Sequence, residues 1–130
     1  MPALWWLDSI VTSALVAPLV EELFFRAFLL VALYVVFCRI TGSPSAAGVA
    51  STLITASLFM LAHVVASDGG LSALGAITML LVGLVTAGLV LVTGRFWGAL
   101  LAHLTFNGIW VALALVGTAA GSVGVSAGLS

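Results

Sequence analysis

The stretch Leu19-Val20-Glu21-Glu22-Leu23-Phe24-Phe25-Arg26-Ala27-Phe28-Leu29-Leu30 sets two carboxylates and a guanidinium into a run that is otherwise apolar as far as Arg39. Around it the chain carries almost no charge. Of its 130 residues 64% are hydrophobic and 5% charged, and the mean hydropathy is +1.41. A soluble domain carries roughly 25% charged residues to keep its surface hydrated. Three arginines and four acidic residues cannot cover a domain of this size, so most of its surface faces lipid. With a net charge of −1 and no lysine, the chain offers no nucleic-acid surface and no polybasic arm.

Working outward, Gly, Pro, Ser and Asp divide the chain into four long apolar segments. The first, about Leu19 to Arg39, ends at Thr41-Gly42-Ser43-Pro44; the second, about Ser45 to Ala66, ends at Ser67-Asp68-Gly69-Gly70. The third covers about Leu71 to Val92 before Thr93-Gly94-Arg95, and the fourth about Phe96 to Val116. Each is long enough to cross a hydrocarbon core as a helix, and none shows the alternation of a lipid-facing barrel strand. The expected fold is all-α, a polytopic transmembrane helix bundle of about four spans with an N-terminal interfacial segment. Residues 1–17 are expected to be that interfacial or partly helical segment, 18–116 the membrane core, and 117–130 a flexible tail.

Trp5 and Trp6 beside Asp8 suit an interfacial anchor, and the start lacks the basic stretch of a cleavable signal peptide. Pro18 either bends the entry to the first span, freeing the Ala14 carbonyl, or occupies a favourable first-turn position. Cys38 is the single cysteine, so it packs as a small hydrophobe rather than forming an intrachain disulfide. Gly75, Met79, Gly83 and Ala87, and again Gly94, Gly98 and Ala102, form small-residue rows suited to close helix packing. Arg39 and Arg95 fall in the first and third connections and Asp68 in the second, which puts the arginine side in the cytoplasm.

An ionised side chain at the bilayer centre costs about 2.5–3.5 kcal/mol on insertion scales, so three unpaired ones cost on the order of 8–10 kcal/mol. Glu22 and Arg26, four apart, share a helix face and can pair; Glu21 is rotated by about 100°. His63 on the second segment follows Phe59 at the same spacing. His103 and Asn107 share a face of the fourth, with Trp110 further along it. Each taken alone has a plain reading as an internal salt bridge, an interhelical donor or packing. Together they supply what a peptide hydrolase needs: a carboxylate to accept a proton from water, a histidine to orient or shuttle, and N–H groups for the oxyanion. Phe24, Phe25, Phe28, Phe59, Phe106 and Trp110 are candidates to wall the cavity, and Phe25, Phe59, Phe106 and Trp110 to meet substrate.

In order along the chain these residues resemble the motif series of the CPBP intramembrane proteases, the CAAX protease and bacteriocin-processing (Abi) family that includes the Ras-converting prenyl endopeptidase. The E-E-x-x-x-R motif is matched by Glu21 to Arg26, F-x-x-x-H by Phe59 to His63, and H-x-x-x-N by His103 to Asn107. The Gly-rich third segment running into Thr93-Gly94-Arg95-Phe96-Trp97 is similar to the family's approach to its last motif. The likeness covers about Pro18 to Trp110. It implies an all-helical membrane peptidase in which Glu21 or Glu22 activates water, His63 assists, His103 and Asn107 bind water or the oxyanion, and Arg26 holds the carboxylates. It further implies a membrane-associated substrate: a CAAX-type prenylated protein, a bacteriocin or leader peptide, or a membrane protein. The expected partners are the lipid bilayer, that substrate, and an oligomer or partner protein, with a bacterial inner membrane as the location.

The family is often described as metalloproteases, and Glu22, His63 and His103 match the ligand count of a catalytic zinc. The H-E-x-x-H helix of zincins is absent, however, so a metal-free glutamate mechanism and a divalent metal such as zinc both stay open. Family members usually carry further spans before the first motif, which suggests a truncated copy, a minimal member or one that needs a partner. At about 1.5 Å per residue, Glu22 and His63 lie about 26–28 Å from the arginine connections but His103 only about 12 Å, so for the site to converge either the Arg95 connection is sunk into the bundle or the helices are broken or staggered. Two rival functions are a non-catalytic immunity or scaffold protein of the same fold and a small proton-coupled transport subunit.

Overall fold

The computed structural model describes residues 10–127, with side chains as far as residue 118. Trp5, Trp6 and Asp8 lie outside the described residues. Helix accounts for all the regular structure described, in four helices long and apolar enough to cross a membrane. We label them α1 (Thr12–Thr41), α2 (Pro44–Ala66), α3 (Ala73–Thr93) and α4 (Phe96–Ala127). Backbone beyond Gly117, expected as a flexible tail, is helical to Ala127 and continues α4.

The turn residues end and start the helices as their chemistry dictates. Gly42 and Gly94 close α1 and α3 in the left-handed conformation, both at φ 65°, where a side chain would be strained. Ser43 and Ser72 cap α2 and α3, accepting from the N–H groups of Ala46 and Gly75 at 3.3 and 3.1 Å. Pro44 follows Ser43 at the first helical position.

Helix α1 is continuous through Pro18 but is not uniformly wound. Two wide i→i+5 stretches, Thr12–Val16 and Leu23–Leu30, flank the ordinary α turns Ala17–Glu22. In the first of them the Ala17 N–H donates to the Thr12 carbonyl. The next bond in that register would run from residue 18 to Ser13, and proline has no N–H to give. Asn107 Nδ2 donates to the Ser13 carbonyl instead, at 3.1 Å. The expected effect of Pro18 on Ala14 is thus displaced by one residue, because the winding is wider than an α-helix.

Packing follows chain order, and α4 closes the bundle against the first half of α1. Helices α2 and α3 approach most closely at Gly83, where an added Cβ would lie 3.0 Å from the Ala56 Cα. Ala87 is buried one turn further along. Only that half of the first small-residue row packs between helices. Gly75 lies against Leu71 of its own chain segment, and a Cβ at Gly98 would meet nothing within 4 Å. In the second row Gly94 is a helix cap, and only Ala102 comes near another helix, lining a cavity with Val82, Val85 and Thr86 of α3.

The interior inverts that of a soluble protein. Glu22, Arg26, Ser51, Thr55, Thr86 and His103 are buried, while Val20, Phe28, Leu53, Val65, Leu81, Trp97 and Leu101 lie exposed on the outside. Ser51 and Thr55 return their hydroxyl protons to carbonyls of their own helix, Ala47 and Ser51. With lipid outside, polar groups gain only by facing inward. The chain is an integral membrane protein.

Candidate functional site

The site is built from the α1 turn that opens the sequence. Glu22 and Arg26 face inward one turn apart, both fully buried, with Arg26 Nε 3.5 Å from Glu22 Oε2. That is an ion pair too long for a charge-assisted hydrogen bond, which runs about 2.7–2.9 Å. Arg26 Nε–H donates instead to Thr86 Oγ1 on α3, at 2.8 Å. The guanidinium carbon lies 5.8 Å from the Phe25 ring centre and 5.1 Å from that of Phe59, so aromatic faces supply the rest of its surroundings. Its Nη1 and Nη2 reach no hydrogen-bond partner among the described residues.

The second oxygen of Glu22 reaches α4. His103 Nδ1 lies 3.0 Å from Glu22 Oε1, in contact across the bundle. The mismatch in depth counted along straight helices therefore does not keep His103 from Glu22. Val31, Tyr34, Pro44 and Gly94 line one cavity, so both arginine connections do lie at the same end. The count failed because it assumed straight, parallel α-helices. The wide turns of Leu23–Leu30 advance less per residue than an α-helix and shorten the counted distance.

Glu21, turned away from this pair as expected, meets the two histidines. Its Oε2 is 3.7 Å from His63 Nε2 and 3.8 Å from His103 Nε2. The other nitrogen of each ring is engaged. His63 Nδ1 sits 2.9 Å from the Phe59 carbonyl, which can only accept, so this nitrogen carries the hydrogen. His103 Nδ1–H likewise suits the Glu22 carboxylate. In the neutral form of each ring the remaining Nε2 is an acceptor facing the Glu21 carboxylate. With both rings neutral, three acceptors face one another, and a water there has hydrogens for two of them.

Exposure separates the two glutamates: Glu21 and His63 are each 29% exposed and Glu22 is 0%. Glu21 and His63 line a small cavity of about 170 Å³ with Phe25, Ala62 and Ala66. A larger apolar groove of about 660 Å³, open to the side of the bundle between α1 and α2, shares Phe25, Ala62 and Ala66 with it. Phe59 packs behind the site, its ring 4.5 Å from that of His63 and 5.5 Å from that of His103.

Asn107, Phe106 and Trp110 are placed elsewhere. They line a separate cavity of about 460 Å³ with Ser13, Ser72, Thr78 and Met79, and the Asn107 amide is turned to Ser13. Spacing had put Asn107 on the His103 face; one turn along α4, that face meets the start of α1 rather than the carboxylates. Thr86 was missed, since nothing in its apolar surroundings marks it. Zinc needs its donors converging at about 2.0–2.2 Å. Glu22, His63 and His103 do not do this, because Glu22 is hydrogen-bonded to His103 Nδ1 and His63 faces Glu21. Among the described residues no group of three or more His, Cys, Asp or Glu could hold a metal ion. The placed donors do not fit the metal.

Fold and site together define a polytopic membrane protein with carboxylates and imidazoles brought together inside its helix bundle. The model of the type II CAAX prenyl endopeptidase Rce1-like family matches residues 3–109, and the chain belongs to that family. All three motifs read from the sequence lie within the matched stretch. No curated protein and no solved structure matches the chain.

Proposed function

We propose that this chain is an intramembrane endopeptidase in which Glu21 is the general base. The observation that carries the reading is the acceptor set of Glu21 Oε2, His63 Nε2 and His103 Nε2, with the carboxylate open to a cavity. Water held there gives one proton to Glu21 as its oxygen attacks a peptide carbonyl carbon. The carbonyl oxygen takes up the negative charge. That proton then passes to the amide nitrogen, the C–N bond breaks, and a carboxylic acid and an amine leave. A histidine whose Nε2 has been protonated from solvent through the cavity donates to the oxyanion. Glu22, buried and hydrogen-bonded to His103 Nδ1, holds that ring in one tautomer and stabilises its cationic form. Of the two glutamates, this reading gives water activation to Glu21 and orientation to Glu22.

The substrate on this reading is membrane-associated: a CAAX-type prenylated protein, a bacteriocin or leader peptide, or a membrane protein. The groove between α1 and α2 supports entry from the lipid, because its apolar walls run into the Glu21 cavity. A bacterial inner membrane with the arginine connections in the cytoplasm is the proposed setting.

The test is cleavage of prenylated and unprenylated membrane-anchored reporter peptides by the purified chain in liposomes. Glu21→Gln keeps the shape of the site and removes the base; it is expected to lower kcat by about 10²–10⁴-fold. Unchanged cleavage in that variant rules the mechanism out. Proton flux without cleavage would favour the transport reading instead, and full biological activity of Glu21→Gln the scaffold reading.

A further inference from the structure

Thr86 belongs to none of the three motifs, yet its hydroxyl meets the site directly. Its own proton goes to the Val82 carbonyl at 2.9 Å, as in many membrane helices. The oxygen is therefore an acceptor toward anything beyond its helix, and Arg26 Nε–H donates to it at 2.8 Å. Both residues are buried. On the other side of the guanidinium, Glu22 Oε2 stands off at 3.5 Å and Oε1 holds His103 Nδ1 at 3.0 Å. Arg26 Nε thus lies between two oxygens, and the neutral one has the hydrogen bond.

We propose that Thr86 is a positioning residue for the catalytic centre. By taking the Nε–H of Arg26 it keeps the guanidinium from closing on Glu22, and so leaves that carboxylate to orient His103. The catalytic part of this proposal rests on the hydrolase reading above. The geometry gives the direction of failure. Without the Thr86 oxygen, Arg26 Nε–H has Glu22 Oε2 as its nearest acceptor, and a tight Glu22–Arg26 pair forms. Negative charge is then drawn away from the His103 Nδ1–H, and that hydrogen bond weakens. The close approach of α3 to α2 at Gly83, one turn before Thr86, holds the hydroxyl at this level of the bundle.

The chain has two histidines, so ¹⁵N-histidine labelling of the full protein in detergent gives a short spectrum, assigned with His63→Gln. Thr86→Val keeps the side-chain shape and removes the oxygen. The expected result is an upfield move of the His103 Nδ1–H proton with the His63 signals unchanged, reversed in Thr86→Ser. Kinetically, kcat falls about tenfold to a hundredfold, the usual effect of losing an outer partner, with KM unchanged and Thr86→Ser near wild type. Where the valine variant does not fold, Thr86→Ala removes the same oxygen without placing a methyl against Arg26. Unmoved His103 signals in a folded variant overturn the proposal whatever the activity. Moved signals with wild-type kcat overturn its catalytic part. Moved signals in a chain whose wild type cleaves nothing support the positioning geometry and overturn the hydrolase reading alone.

Discussion

Glu22 has no route to solvent, and its two oxygens answer to different helices: Oε1 to His103 on α4, Oε2 to Arg26 on its own. Removing one member of such a buried pair leaves the other uncompensated, which costs about 3–5 kcal/mol, while replacing both with apolar groups is often neutral. Glu22→Leu is accordingly expected to lower unfolding stability in detergent by about 3–5 kcal/mol. Glu22→Leu combined with Arg26→Leu should recover most of that loss and still leave the protein inactive. Recovery of activity along with stability would mean that the pair is only structural. At this scale the sequence was informative where chemistry and spacing coincide. A carboxylate and an arginine four apart in an apolar run can hardly do other than pair, and histidines among lipid-facing residues stand out. Thr86 was not legible, because a threonine inside a membrane helix usually bonds its own backbone. It does so here as well, and only the fold reveals that its oxygen also meets Arg26.

Between elements, the decisive contact is the one at Gly83. With the Ala56 Cα 3.0 Å from where a Cβ would sit, the two backbones leave no space for a side chain. Gly83→Leu should force α3 away from α2 and carry Thr86 off Arg26. The expected outcome is a protein of lower thermal stability and reduced activity, whereas Gly108→Leu, at an exposed position where an added Cβ meets nothing within 4 Å, should leave stability unchanged; equal stability of the two variants would argue against the contact. The helix ends at the three connections were legible to within two residues or so, because Gly42, Ser43, Pro44, Ser72 and Gly94 each act through local backbone chemistry, whereas α1 starts seven residues before Leu19 and α4 runs eleven beyond Val116. The winding of α1 was not legible. Which carbonyl Pro18 would have served with an N–H, that of Ala14 or of Ser13, depends on i→i+4 or i→i+5 bonding, and residue types do not encode that choice. The partner of Asn107 follows from the winding, so it was out of reach too.

Across the whole molecule, the count of spans and their order could be read from hydropathy, since lipid outside leaves apolar runs little else to do. The convergence of His103 on Glu22 could not, because depth along a helix fixes position only if the axes are parallel. The inverted interior carries a further consequence, which concerns how the chain is made. Synthesis delivers α1, with Glu21, Glu22 and Arg26, to the bilayer before α3 and α4, and His103 follows Glu22 by 81 positions. Until α3 and α4 arrive, the most polar helix has neither Thr86 nor His103 to meet. A chain stopped after α2 should therefore leave α1 poorly inserted or quickly degraded, in contrast to the full chain, as glycosylation-site mapping of nascent chains can measure. Stable insertion of α1 by itself would show that Glu22 and Arg26 suffice for each other. A helix synthesised later, α4, would thus complete both the site and the membrane residence of α1.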